Sequence, residues 1–205
     1  MTPLSRGGDW YLFDYGMVIS TAPSPEDWRL LEQATGLSDL ATGTSRYWEK
    51  REEFDAGRLT PAQYWGGVLG EAVPPETVNT LEALDAAQWS HLNPRTMEVL
   101  QTLHGEGAAL ALLSNMPEGM SRRYSAESPW APYFSKLYFS GQMGLVKPDP
   151  RIFDRVVADL GAAPKGIIFV DDNPQNISTA RDMGFQTVLH TSGTDLRAEL
   201  AGLSR

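Results

Sequence analysis

The stretch that decides the fold is Trp10-Tyr11-Leu12-Phe13-Asp14-Tyr15-Gly16-Met17-Val18. Four large apolar or aromatic residues run into a single carboxylate, followed by a tyrosine, a glycine and two more apolar residues. A continuous apolar run of this length predicts a strand buried on both faces, as in a parallel sheet. Asp14 then stands at the carboxyl end of that strand. In open α/β sheets this edge is where ligands bind, so a carboxylate there is either a helix cap or a reactive group. The rest of the chain has to separate the two.

Beyond the first strand the pattern becomes helical and stays so to about residue 92. Ser24-Pro25-Glu26-Asp27 carries an N-cap, a proline at the first helical position and a capping-box acid. Further helices are expected from Ser45 to Gly57, from Thr60-Pro61 to Gly70, and after Pro74-Pro75 through Trp89. No strand signal interrupts them, so residues 21–91 are expected to form a small helical insert after the first strand. The α/β core then consists of residues 1–20 and 92–205. Trp28, Trp48, Trp65 and Trp89 fall within the helical segment and are expected mainly to fill its interior.

From Pro94 onward helices alternate with strands at Ala108–Leu113, Leu137–Phe139, Ile167–Val170 and Thr187–Leu189. This alternation predicts an α/β fold, a Rossmann-like three-layer core around a central parallel sheet.

Composition narrows the chemistry. The 205 residues are 41% hydrophobic and 21% charged, as expected of a globular protein, and contain no cysteine, which excludes thiolate nucleophiles, disulfides and Cys-ligated zinc. A formal net charge of -9 opposes adhesion to nucleic acid or anionic lipid, so neither is expected as a partner. Three histidines, at 91, 104 and 190, lie in different segments and lack metal-ligand spacing. The first eight residues carry no apolar leader core and no apolar run is long enough to span a bilayer, so a cytoplasmic location is expected. No motif specifies an oligomeric state.

Three predicted strands end in polar residues that a parallel sheet gathers along one edge: Asp14, Ser114-Asn115 and Asp171-Asp172. Lys147 lies in a loop that can reach the same edge. Clustered carboxylates repel one another unless a cation lies between them, and hard oxygen ligands suit Mg²⁺. A magnesium ion beside a carboxylate, a hydroxyl, a lysine and helix N-termini is the equipment for phosphoryl transfer.

With these pieces in place the chain resembles the haloacid dehalogenase-like hydrolases. Phe13-Asp14-Tyr15-Gly16-Met17-Val18 matches the first motif of that family and Leu113-Ser114-Asn115 the second. Lys147-Pro148-Asp149-Pro150-Arg151-Ile152-Phe153 fits the third, and Val170-Asp171-Asp172-Asn173-Pro174-Gln175-Asn176-Ile177 the fourth, in the family's order, and the resemblance implies that residues 21–91, the insert after the first strand, are a small helical cap. The resemblance implies a Mg²⁺-dependent phosphatase acting on small phosphorylated metabolites, with sugar phosphates the class its subgroup suggests, through an aspartyl phosphate. Asp14 would be the nucleophile and Lys147 would neutralise charge. Ser114, Asn115 and Lys147 would bind the substrate phosphate. Asp14, the Gly16 carbonyl and Asp172 would hold the metal, with Asp171 a metal ligand or a partner that orients a metal water or Lys147.

One departure stands out. Phosphatases of this family usually carry a second Asp two residues after the nucleophile, as the proton donor to the leaving oxygen, and here that position is Gly16. The absence points to a substrate whose leaving group needs less help, to slow turnover, or to a site that binds without catalysis. The Asp-x-Gly-x-Val form also resembles a subgroup that includes sugar 1-phosphate phosphatases, which favours the first. The rival enzymatic reading is a 2-haloacid dehalogenase using Asp14 without metal. Against it stand the direct Asp14-Tyr15 junction and the acidic pair Asp171-Asp172, which would repel a carboxylate substrate. The rival that is not an enzyme, an inactive phospho-ligand-binding protein, has Gly16 as its support.

Overall fold

The computed structural model describes Leu4 and residues 9–203. Residues 1–3, 5–8, 204 and 205 lie outside the described residues, and with them most of the segment on which the expectation about a leader rests. No helix among the described residues is long and apolar enough to cross a membrane.

Five strands, β1 (Trp10–Phe13), β2 (Ala109–Ser114), β3 (Lys136–Phe139), β4 (Ile167–Asp171) and β5 (Gln186–Leu189), form one parallel sheet in the order β3-β2-β1-β4-β5. The helices are α1 (Pro25–Thr35), α2 (Arg46–Glu49), α3 (Arg51–Asp55), α4 (Pro61–Leu69), α5 (Pro75–Gln88), α6 (Pro94–Gly105), α7 (Glu118–Glu127), α8 (Ser140–Met143), α9 (Pro150–Leu160), α10 (Pro174–Asp182) and α11 (Leu196–Leu203).

The sheet is apolar on both faces because successive side chains of a strand point to opposite sides. Tyr11, Phe13, Leu110, Leu112, Ile168 and Val170 enter one core with residues of α6, α7 and α11. Leu12, Ala111, Leu113, Ile167 and Phe169 enter a second core with Ile152, Phe153 and Val156 of α9 and Ile177 and Ala180 of α10. These are the outer layers of the three-layer arrangement expected from the alternating pattern.

Helices α1 to α5 build a third core from Leu31, Tyr47, Phe54, Tyr64, Trp65, Val68 and Leu81. The chain enters and leaves this segment side by side, at an antiparallel bridge between Ser20 and Leu92. Both capping boxes there are formed, Ser24 with Asp27 and Thr60 with Gln63, so the local N-terminal signals set where α1 and α4 begin. The single helix expected from Ser45 to Gly57 is instead broken at Lys50, whose φ of -119° and ψ of 16° leave the helical region. The break separates α2, which carries Tyr47 and Trp48, from α3, which carries Arg51 and Asp55.

Helix α3 comes very close to the sheet edge. Ser140 Oγ donates to the Asp55 carbonyl at 2.5 Å. Gly57, in the left-handed region at φ 70°, packs so tightly on Gly141 that a Cβ at residue 57 would overlap the Gly141 carbonyl.

Candidate active site

The sheet order places β2, β1 and β4 side by side at its centre, so Ser114, Asp14 and Asp171 leave adjacent strand ends. The Asp14 N–H still pairs with the Val170 carbonyl at 2.9 Å, carrying the ladder one residue past β1. The chain then turns sharply. The Tyr15 carbonyl accepts from the amides of Val18, Ile19 and Ser20, and Met17 takes a left-handed φ of 58°.

Lys147 is the hub. Its ammonium lies 2.8 Å from Asp14 Oδ1 and 2.7 Å from Asp171 Oδ2, and the residue is only 4% exposed. Asn115 holds the loop that carries it: the Asn115 amide donates to the Lys147 carbonyl at 2.9 Å, and the Lys147 N–H donates to Asn115 Oδ1 at 2.8 Å. The sequence-based expectation for Asn115 is phosphate binding, whereas here its amide holds the lysine loop.

The two acids at the end of β4 are in different environments. Asp171 is fully buried and accepts from Lys147, the Asn173 N–H and the Asn176 amide. Asp172 is half-buried and takes no side-chain hydrogen bond among the described residues. Carboxylate oxygens of Asp14, Asp171 and Asp172 all lie within 4.8 Å of one another, a donor set able to hold a metal ion. The residues expected at the site from sequence, Asp14, Ser114, Asn115, Lys147, Asp171 and Asp172, therefore converge, with Gly16 in the turn beside them.

The electrostatics match this crowding. Burial pushes the Asp14 carboxyl up to about 7 even though the Lys147 ammonium opposes the shift, and Asp171 and Asp172 add to it. Burial and the Asp171 charge raise Asp172 to about 6. The Lys147 ammonium is held above its ordinary range because its two carboxylates outweigh desolvation. Asp14 Oδ1 is engaged by Lys147 and by the Tyr15 N–H at 2.7 Å, while Oδ2 has no hydrogen-bond partner among the described residues.

A cavity of about 140 Å³ adjoins this centre. Tyr15, Gly16, Ser114, Asn115, Met116 and Met120 line it from the α/β core, and Trp48, Arg51, Asp55 and Trp89 from the helical segment and its exit. Trp48 and Arg51 of the helical segment thus line the cavity. Tyr47 and Trp65 are fully buried in the helical core instead. Asp55 gave no signal in the sequence. On a helix beside Glu52 and Glu53 it has the pattern of a solvated acidic face, and Asp85, with which it shares Arg51, is 30 residues away.

The histidines play no part in this centre. His91 pairs with Asp27 at 2.9 Å and His190 with the Met17 carbonyl at 3.0 Å, while His104 packs on Tyr133.

A parallel sheet whose central strands deliver an aspartate, a serine and an acidic pair to one edge, with a buried lysine between them, defines a class of hydrolase. The family model for haloacid dehalogenase-like hydrolases matches residues 19–184, and the chain belongs to this family. A D-ribitol-5-phosphate phosphatase from Bacteroides thetaiotaomicron is 31% identical over 199 residues, covering 92% of this chain and 95% of that protein. A phosphoserine phosphatase from Thermus thermophilus is 36% identical over 98 residues, 47% of this chain and 39% of that protein. Among solved structures, a HAD family enzyme from Bacteroides thetaiotaomicron in complex with magnesium and inorganic phosphate superposes with a TM-score of 0.73 at 22% identity, covering 93% of this chain and 98% of that one. The L-2-haloacid dehalogenase from Xanthobacter autotrophicus shares the fold at a TM-score of 0.66 and 16% identity, covering 87% and 76%.

Proposed function

We propose that this enzyme is a magnesium-dependent phosphatase of small phosphorylated metabolites, sugar phosphates foremost, working through an aspartyl phosphate on Asp14. The observation that carries this reading is the triangle of Asp14, Asp171 and Asp172 around a buried lysine. Three carboxylates against one ammonium leave negative charge that a divalent cation can neutralise, and the all-oxygen donor set suits Mg²⁺. Asp14 and Asp172, with the Gly16 carbonyl, are the ligands we assign. Asp171 is already saturated by donors, which favours an orienting role for it. When bound, magnesium would shield the phosphate charge and draw the phosphoryl group toward the nucleophile.

The protein's own groups do the rest. Asp14 Oδ2, with no hydrogen-bond partner, attacks phosphorus while the Tyr15 N–H and Lys147 hold Oδ1 and fix the carboxylate's orientation. Lys147 meets the negative charge that spreads over the equatorial oxygens. Ser114, whose hydroxyl is uncommitted among the described residues, binds a phosphate oxygen, and Asn115 positions Lys147. Residues 21–91 act as a cap over the core at 1–20 and 92–205. The cap closes the cavity with Trp48, Arg51 and Asp55 and excludes water from the reacting centre.

A volume of about 140 Å³, below the roughly 300 Å³ of ordinary ligand pockets, fits a small leaving group. The dehalogenase reading is disfavoured by the same triangle, because a metal-free site with three acids repels a haloacid carboxylate. The lack of cysteine is compatible with a cytoplasmic location. Phosphate release from a panel containing ribitol 5-phosphate, hexose phosphates and phosphoserine, measured with Mg²⁺ and with EDTA, tests the reading. Release that survives EDTA or Asp14→Asn would refute it.

A further inference from the structure

Gly16 leaves the site without a proton donor at the position where the family's phosphatases usually hold one. Space is not the reason, since a Cβ built at Gly16 meets nothing within 4 Å. The cavity that Gly16 and Ser114 line on one side is lined on the other by a carboxylate, Asp55. We propose that Asp55 is the acid–base residue of this enzyme, placed on the helical segment instead of on the nucleophile's own turn. The inference rests on the phosphatase reading above.

The surroundings of Asp55 suit a carboxyl that holds a proton. It shares Arg51 with Asp85, so a half-buried carboxylate and a buried one divide one guanidinium. Asp85 has the larger share of donors. Arg51 Nη1 approaches both its oxygens at 3.0 and 3.1 Å, the Tyr47 hydroxyl donates at 2.6 Å and the Gln88 amide at 3.1 Å. Asp55 receives one side-chain hydrogen bond, from Arg51 Nε to Oδ1 at 2.8 Å, and its Oδ2 has no partner among the described residues. Of the two, Asp55 is the carboxyl with fewer donors and so the one better able to hold a proton.

Burial raises the Asp55 carboxyl to about 6 against the opposing pull of Arg51, with Asp85 and Glu52 adding to the rise. A value near the working pH is what a general acid needs. The other groups packed around it are the Tyr47 and Tyr64 hydroxyls, and on the sheet side the Ser140 hydroxyl, bonded to the Asp55 carbonyl. That bond and the Gly57–Gly141 contact tie the end of α3 to the α/β core, which gives the acid a fixed position.

The step balances without any further reactant. As Asp14 Oδ2 forms its bond to phosphorus, the P–O bond to the leaving oxygen breaks, and that oxygen takes the Asp55 proton and departs as an alcohol. The Asp55 carboxylate then accepts a proton from the water that attacks the aspartyl phosphate, which releases phosphate and regenerates Asp14 and protonated Asp55. A poor alkoxide leaving group is thereby assisted despite Gly16.

The test compares glycerol 3-phosphate, a poor leaving group, with p-nitrophenyl phosphate, a good one, on the magnesium-loaded enzyme. Asp55→Asn keeps the acceptor for Arg51 and should lower kcat/KM for the alkyl phosphate by about 10²–10⁴-fold while changing the aryl phosphate by less than about tenfold. The fall in alkyl-phosphate kcat/KM above pH 6, expected in the unsubstituted enzyme as Asp55 ionises, should flatten. Adding Gly16→Asp to Asp55→Asn should restore alkyl-phosphate turnover. Equal losses on both substrates, with no restoration, would overturn the assignment. So would an unsubstituted enzyme that cleaves the aryl phosphate thousands of times faster than the alkyl one, a result that needs no variant. Phosphate release from neither substrate nor any metabolite of the panel would sink the phosphatase reading and this assignment together, whereas the first two outcomes leave that reading standing.

Discussion

Replacing Lys147 by methionine keeps the length of the side chain and deletes its charge, which isolates what the ammonium does. In the native fold the ammonium lies 2.8 Å from Asp14 and 2.7 Å from Asp171, with its side chain 1% exposed. Removing one partner of a buried ion pair costs about 3–5 kcal/mol, because the remaining charge is left uncompensated. In a chain of this size 1 kcal/mol corresponds to roughly 2–4 °C, so Tm should drop by roughly 6–20 °C in EDTA. Magnesium should then stabilise Lys147→Met more than it stabilises the unsubstituted protein, since the ion becomes the sole counter-charge to Asp14, Asp171 and Asp172. A ligand at a hundred times its Kd contributes about 2.7 kcal/mol. Urea unfolding followed by tryptophan fluorescence, in EDTA and at saturating Mg²⁺, measures both effects. A loss in EDTA below about 1 kcal/mol, the range of an exposed pair, would refute the reasoning. Equal stabilisation of the two proteins by magnesium would refute it as well.

Other substitutions probe separate parts of the account. Asp172→Asn should weaken Mg²⁺ binding in calorimetry with little change of stability in EDTA. Asp171→Asn, which removes the charge that faces Lys147 and turns one of the two oxygens that accept from Lys147 and Asn176 into a donor, should cost about 1–3 kcal/mol in EDTA. Gly57→Ala puts a Cβ at φ 70° against the Gly141 carbonyl and should cost about 1–3 kcal/mol, lowering kcat/KM by displacing the α3 end that carries Asp55. Phe153→Ala removes a fully buried ring packed edge-on against Phe169 and Phe185. It should cost about 3–5 kcal/mol in urea unfolding without altering KM.

The α/β core was legible because its signals are local. Trp10–Phe13, Ala109–Leu113 and Ile167–Val170 are unbroken apolar runs that end in polar residues, and parallel pairing alone puts those ends together. Proline and cap residues mark the starts of α1, α4, α6, α9 and α10. The rest depends on contacts between distant residues. Asp55 acquires its character from burial and from Asp85 on α5, and its place from the Ser140 bond to its carbonyl, none of which leaves a trace around position 55. Asn115 follows the expected serine, yet its amide binds the Lys147 backbone 32 positions on. Helical spacing through Tyr47, Trp48, Arg51 and Phe54 is continuous in the sequence, so nothing local announces the break at Lys50. Position 16 shows the converse. The sequence identifies the missing carboxylate, and only the three-dimensional cavity shows which other acid faces the same space.

The central claim is that Asp14 attacks phosphorus and is released by water attacking phosphorus. A single turnover in H₂¹⁸O with enzyme in excess over a cleaved phosphate ester, followed by mass spectrometry of the phosphate and of the peptide containing Asp14, tests it most directly. The account predicts label in the phosphate, none in the Asp14 carboxylate, a phosphoryl group trapped on that peptide by acid quench, and loss of both the labelled phosphate and the phosphopeptide in Asp14→Asn. Label in the Asp14 carboxylate, as expected when water cleaves a carbon ester, or phosphate release without a phosphorylated Asp14 peptide, would contradict it.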